Sequence, residues 1–329
     1  MKNIIRLFLF VILSSFIPTH SVAAVTDQDY SSWLKIFKQE ALRYGIRPVT
    51  LDDALAEVKP LERIVKLDRA QPEFTKSLET YLAGAVSEKR VKQGRGLLRE
   101  NAALLTRIAK KYRVQPRFLL ALWGIETSFG RYTGKVPVVD ALVTLAYDGR
   151  RSRYFRAELL TALEIIDHGL MTSVQMKGSW AGAMGQVQFM PSTFLNFAVD
   201  GNGDGRIDLW NTREDYLSSA ANYLRQSGWD DTYTWGREVT LTKIITKNSF
   251  GLKQQLPLLE WQKLGVRTAQ GKNLPTVKIM ASLIQPDGEP GKTFLVYENY
   301  RVLLKWNRAH RFAIAVGTLA DKIGQRRRE

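Results

Sequence analysis

The chain has 329 residues, 45% of them hydrophobic and 24% charged, with a formal net charge of +16. That length allows one large domain or two ordinary ones with a sizeable core. Cysteine is absent, which excludes disulfides and a lipid-bearing N-terminal cysteine, so the fold must hold through its core or a metal.

The first residues read as a secretory signal peptide. Lys2 and Arg6 precede an apolar run from Leu7 to Ile17, then Pro18 and the small residues Ser21-Val22-Ala23-Ala24. Cleavage after about Ala24 and a periplasmic location are expected. The alternative, a membrane anchor, needs roughly 20 apolar residues, and this run of about eleven falls short. Loss of residues 1–24 removes Lys2 and Arg6 and no acid, so +16 becomes +14. A basic exported chain points to an anionic partner, first of all a cell-wall polymer. The basic residues are scattered rather than striped with aromatics, which argues against nucleic acid.

Apolar spacing predicts helices over Asp29–Tyr44, Leu51–Ala56, Phe74–Ala85 and Gly94–Tyr112. A further helix spans the Phe118–Gly130 segment, with Pro116 suited to its first turn and Gly130 to its stop. Val138–Ala146, Tyr154–His168, Pro191–Ala198 and Glu214–Gln226 complete a helical body over 25–230. The stretches Thr232–Thr242, Lys278–Leu283 and Thr293–Tyr297 are rich in β-branched and aromatic residues, with a turn marked by Gly288, Pro290 and Gly291. Residues 235–297 therefore read as a small β-containing subdomain, followed by a C-terminal helix over 302–323. The fold class is mainly α.

The segment 118–130 (FLLALWGIETSFG) puts Glu126 on one face with Leu119, Leu122 and Trp123. Burial there favours the protonated carboxyl, the form a general acid needs. The plain alternative is a hydrogen-bonded core glutamate. Downstream lies 180–191 (WAGAMGQVQFMP). Gly178, Gly182 and Gly185 would let backbone approach a ligand. Gln186 and Gln188 carry neutral groups suited to sugar hydroxyls and N-acetyl groups, and Met184, Phe189 and Met190 offer apolar surface to pyranose faces. Its plain alternative is a Gly-rich turn closed by a Met/Phe core plug. The stretch 200–211 (DGNGDGRIDLWN) resembles half of an EF-hand loop. Asp200, Asn202 and Asp204 stand at positions 1, 3 and 5, Gly205 at 6, and Arg206 would offer its carbonyl at 7. Position 12 is Asn211 rather than a bidentate Glu, and a turn without an ion is the alternative. His20, His168 and His310 lack metal-ligand spacing, and Ser128 and Ser179 lack a histidine base. The Arg150–Arg153 run reads as a solvated loop, with contact to stem-peptide carboxylates as its alternative.

Glu126-Thr-Ser-Phe-Gly130, followed by Gly182-Ala-Met-Gly and Gln188-Phe-Met-Pro191, resembles the lytic murein transglycosylase B family of peptidoglycan-cleaving enzymes. The resemblance runs from about Gln71-Pro72-Glu73-Phe74 to the terminal helix. It implies a lysozyme-like helical core and a single catalytic acid, Glu126. It implies that Ser179 and Gln188 line the groove, with Tyr223, Trp306 and Asn307 as further substrate contacts. The family more often has tyrosine at the places of Trp306 and Phe312, so no role resting on a phenolic hydroxyl carries over there. The resemblance also supplies Asp215 as the last carboxylate of the ion loop, giving the ligand set Asp200, Asn202, Asp204, Arg206 and Asp215. The hard-oxygen set suits Ca²⁺, with Na⁺ as the alternative and zinc disfavoured. No organic cofactor is expected. Expected partners are peptidoglycan glycan strands and other cell-wall enzymes, with no membrane anchor.

Glycosidic cleavage usually needs two carboxyl groups. One candidate stands out here. A single acid suffices when the N-acetylmuramic acid acetamido group assists and its 6-hydroxyl closes the ring, leaving a 1,6-anhydromuramoyl end. A water-using muramidase would need Asp140 or Asp148 as a second carboxylate. A non-catalytic wall-binding protein is the rival from outside the enzymes.

Overall fold

The computed structural model describes residues 27–70 and 77–325. The expected signal peptide, His20 and the 71–74 segment lie outside these residues.

The chain opens on α1 (Asp27–Tyr44), α2 (Pro48–Ala54), α3 (Glu62–Arg69) and α4 (Leu78–Ala85). Next come α5 (Glu88–Glu100), α6 (Ala102–Tyr112) and α7 (Pro116–Thr127). Local chemistry sets these boundaries. Ser77 and Ser87 accept hydrogen bonds from Thr80 N and Arg90 N as N-caps. Pro48 and Pro116 occupy first turns, where a missing N–H costs nothing. The helix expected over 94–112 is two helices. They break at Asn101, whose Nδ2 donates to Leu97 O (2.8 Å) while its Oδ1 accepts from Arg213 (2.7 Å). An asparagine that can satisfy backbone groups locally competes with helix continuation.

A two-stranded ribbon follows, β1 (Val136–Pro137) against β2 (Lys177–Gly178), enclosing α8 (Val138–Tyr147) and α9 (Ser152–Asp167). Then come α10 (Pro191–Phe197) and α11 (Arg213–Gln226). The β-containing region holds β3 (Gly236–Leu241), β4 (Leu256–Pro257), α12 (Leu258–Lys263), β5 (Val266–Thr268), β6 (Met280–Ile284) and β7 (Thr293–Val296). The chain closes on α13 (Glu298–Trp306) and α14 (His310–Gly324). A single terminal helix was expected. It is split at Asn307, whose Oδ1 accepts from Ala309 N (3.0 Å) and turns the chain.

The five strands order β4-β6-β7-β3-β5, all antiparallel. Every residue of β7 is buried. Alternation sends Phe294 and Val296 into the main helical core, and Leu295 into a second small core with Leu283, Val266 and Trp261. The turn after β6 adds Asp287, which accepts from Leu78 N (2.6 Å) on α4 and pairs with Arg311 (2.7 Å) on α14. The sheet is thus fastened to the helical body on one face and along one turn. In the core, α7 packs on α5, α6, α11 and α14.

Candidate active site

Helix α7 carries Leu119, Leu122 and Trp123 fully into the core and leaves Glu126 half-buried in its last turn. The helix stops abruptly. Ser128 (φ 51°) and Phe129 (φ 57°) both take the left-handed conformation before Gly130 (φ 88°). Each non-glycine residue there costs roughly 1–2 kcal/mol, so neighbouring contacts must hold them. Arg90 Nη2 donates to Ser128 Oγ (2.9 Å), and Phe129 packs edge-on against Trp123.

The loop after β2 is braced to this helix end. Gln186 Oε1 accepts from Trp123 Nε1 (2.7 Å) and its Nε2 donates to Trp210 O (2.8 Å). Its carbonyl accepts from Thr127 Oγ1 (2.9 Å). Gln186 was expected to face sugar. Both of its side-chain heteroatoms are instead spent tying α7 to the acidic loop. A correction also applies to Met184 and Phe189, which lie in the core at 0% and 2% exposure. Of the three expected apolar contacts only Met190 reaches the surface. Met184 and Phe189 exchange backbone hydrogen bonds (2.8 and 3.0 Å), closing the loop as a tight hairpin. Gln188 stands within it at φ 53°, its Nε2 donating to Thr133 O (3.1 Å) and Gly185 O (2.9 Å). Ser179 Oγ accepts from Ala183 N (3.1 Å), which leaves its hydroxyl proton to donate elsewhere.

The third wall comes from the chain's far end. Trp306, the last residue of α13, donates its indole N–H to Glu126 Oε1 at 2.7 Å across 180 positions of sequence. Its ring meets Tyr223 of α11 at 4.8 Å and Phe189 at 5.4 Å, and Tyr223 meets Phe197 at 4.7 Å. Burial pushes the Tyr223 hydroxyl pKa up. Glu126, Trp306 and Tyr223 therefore converge, with Phe189 beneath them. Asn307 follows directly, its Oδ1 committed to the turn. The Trp306–Glu126 contact was missed from sequence, where no spacing signal links the two positions.

The two weaker carboxylates lie elsewhere. Asp148 pairs with Arg69 (2.9 Å). Asp140 sits in the first turn of α8, and burial raises its pKa; burial first, and the Asp140 charge second, push the Tyr30 hydroxyl up to about 12. Arg150 and Arg151 are both spent on Asp68, which is 2% exposed. His310 is likewise structural, its Nδ1 hydrogen-bonded to the buried Tyr300 hydroxyl (2.7 Å).

The acidic loop between α10 and α11 is closed by its own oxygens. Asp200 accepts from Gly203 N (2.6 Å) and Gly205 N (2.7 Å), and Asp204 from Arg206 N (2.9 Å). Asn202 Nδ2 donates to Asp204 Oδ2 (3.0 Å). Asp215, 1% exposed on α11, reaches back to accept from Gly201 N and Asp208 N (both 2.8 Å). Among the described residues no three acidic or histidine side chains form a ready-made metal cluster. The donor set is entirely oxygen, which fits a hard cation such as Ca²⁺.

A mainly helical, lysozyme-like body thus presents a carboxylate at a helix end, hydrogen-bonded to an indole that packs against a phenol. The chain belongs to the Transglycosylase SLT domain family, whose pattern matches residues 29–321. It is 34% identical over 197 residues to the membrane-bound lytic murein transglycosylase B of Escherichia coli K12, a match covering 57% of this chain and 54% of that protein. The chain thus spans about half the length of that curated relative. Among solved structures it is similar to SltB3 of Pseudomonas aeruginosa in complex with NAG-anhNAM-pentapeptide. That similarity has a TM-score of 0.84 and 42% identity, over 89% of this chain and 79% of that one. It is also similar to Slt35 of Escherichia coli in complex with calcium, with a TM-score of 0.74 and 26% identity over 89% and 92% of the two chains. Among the described residues, no helix is long and apolar enough to cross a membrane.

Proposed function

We propose that the protein is a lytic transglycosylase that cleaves the β-1,4 bond between N-acetylmuramic acid and N-acetylglucosamine in peptidoglycan without water. Protonated Glu126 donates to the glycosidic oxygen, and the bond from that oxygen to the muramoyl C1 breaks. The acetamido oxygen supports the electron-poor C1. The muramoyl 6-hydroxyl then bonds to C1 and gives its proton to Glu126, which restores the acid. The products are a 1,6-anhydromuramoyl end and a free 4-hydroxyl, so atoms balance with no water consumed.

The observation that carries this reading is the 2.7 Å contact from Trp306 Nε1 to Glu126 Oε1. An indole only donates, so Oε1 accepts this bond whichever protonation state the carboxyl holds. The same contact serves the ionised carboxylate after transfer, so one fixed donor suits both halves of an acid-then-base cycle. Asp148 being ion-paired and Asp140 facing α1 argue against a water-using muramidase. The anhydromuramoyl ligand named for the SltB3 relative supports the anhydro product. Ser179, Gln188, Tyr223, Trp306 and Asn307 are read as the groove lining. The acidic loop is read as a structural Ca²⁺ site using Asp200, Asn202, Asp204, the Arg206 carbonyl and Asp215, a reading supported by the calcium named for Slt35. Export through the 1–24 leader to the periplasm completes the proposal, with wall glycan strands as substrate and other cell-wall enzymes as partners. Digestion of purified sacculi tests it: wild type is expected to release anhydromuropeptides and Glu126→Gln none.

A further inference from the structure

The outer side of the β-containing region is strongly cationic. Residues 243–280 hold seven Lys or Arg and one acid, a net +6 in 38 residues, whereas the other 291 residues together carry +10. The one acid, Glu260, is paired with Lys263 (2.8 Å). Among the described residues no carboxylate pairs with Lys243, Lys247, Lys272 or Lys278, and all four are exposed.

Apolar side chains stand among these cations. Helix α12 covers the second small core, with Leu258 and Trp261 turned inward. Its outer side carries Leu259 and Lys263, one turn apart and both exposed. At the helix end, exposed Leu264 meets the turn after β3. There Thr242 N donates to Gly265 O (2.9 Å), and a Cβ on Gly265 would lie 2.9 Å from Lys243 Cβ. The next residue of that turn, Ile244, is wholly exposed. At the helix start, Pro257 pairs with Met280, which is exposed as well. Each of these apolar side chains forgoes the gain of leaving water, and they follow α12 rather than standing singly.

A lipid surface with anionic headgroups satisfies both halves of this pattern. Apolar tips enter the acyl boundary while lysine stems reach the phosphates. A glycan strand fits less well, because sugar hydroxyls gain nothing from bare aliphatic tips and the aromatic ring of α12, Trp261, is buried. We propose that the outer face of α12 and the turn after β3 form a peripheral docking surface for an anionic phospholipid bilayer. The contact is reversible and depends on neither Glu126 nor the acidic loop.

The test is co-sedimentation with vesicles of equal phosphatidylglycerol and phosphatidylethanolamine, beside vesicles of phosphatidylcholine alone. The described fold begins at Asp27, so the chain lacking residues 1–24 is used, because their apolar run would itself enter lipid. Binding to the first vesicles is expected, and none to the second. The Lys243→Gln/Lys247→Gln variant should lower the partition coefficient about thirtyfold. Ile244→Ser, which leaves the charge unchanged, should lower it about tenfold. The control Lys92→Gln/Lys110→Gln removes two exposed charges from α5 and α6 and should cost less than about threefold. All these positions are exposed, and circular dichroism checks that each variant is folded. No sedimentation with the anionic vesicles would overturn the proposal and point to an acidic protein as the occupant. Either patch variant binding like wild type, or a control as weak as the lysine variant, would overturn it too, since diffuse attraction of a basic chain to anionic lipid would then suffice.

Discussion

Glu126 stands out in sequence because a carboxylate on an apolar helical stripe needs a reason, and Leu119, Leu122 and Trp123 supply the stripe. Trp306 shows the opposite case. Its indole hydrogen bond to Glu126 spans 180 positions, and no local pattern encodes it. Substituting Trp306→Phe keeps the aromatic packing on Tyr223 but removes the donor. We expect kcat to fall by about tenfold or more with KM little changed, since a bond to a charged group contributes roughly 1.5–3 kcal/mol. Trp306→Tyr, which restores a donor, should recover most of the loss; steady-state kinetics on peptidoglycan checks both. Asp215 illustrates a residue with one structural and one proposed role. Its carboxylate is buried and accepts from two backbone amides, so Asp215→Ala leaves two part-buried donors unpaired. Urea unfolding should show a loss of about 2–4 kcal/mol even without added ion. Met184 and Phe189 were misread as sugar contacts because an apolar residue in a Gly-rich loop can face a ligand or plug a core, and only the packing decides.

The boundary at Pro116 was legible because a proline marks it, whereas the Ser87-capped start of α5 at Glu88 was missed, the helix having been expected from Gly94. Boundaries were also lost at Asn101 and Asn307, where an asparagine interrupts an otherwise continuous apolar period. The second break matters for function, because it ends α13 at Trp306 and so aims that ring at Glu126. Close packing between elements is equally invisible in a single sequence. Gly317 on α14 lies against Trp235, and an added Cβ would stand 2.2 Å from the indole. Trp235 is 2% exposed and its Nε1 donates to Asp321 (2.9 Å), so it cannot step aside. Gly317→Ala should therefore destabilise the protein by about 2 kcal/mol despite alanine's better helix propensity, as thermal melting will show.

For the molecule as a whole, a mainly helical body with a small β-containing part was readable from composition and period. The way the sheet joins the body was not: β7 is buried on both faces, and a short apolar run does not say what covers each face. The acidic loop joins α10 to α11 and is tied to the 184–189 hairpin through Gln186 and Trp210, so an ion bound there would stiffen the molecule at its centre. Adding Ca²⁺ after chelation is expected to raise the melting temperature in a saturable way set by its affinity, and the Asp200→Ala variant should lose that shift. A flat response would remove the ion from the account. The central claim is that one half-buried carboxylate under an indole donor cleaves muramoyl glycan without water. Mass spectrometry of products from purified sacculi tests it most directly. Wild type should yield muropeptides lighter by one water than hydrolytic products, and Glu126→Gln, folded as wild type, should yield none. Hydrolytic-mass products from wild type, or anhydro products from Glu126→Gln, would contradict it.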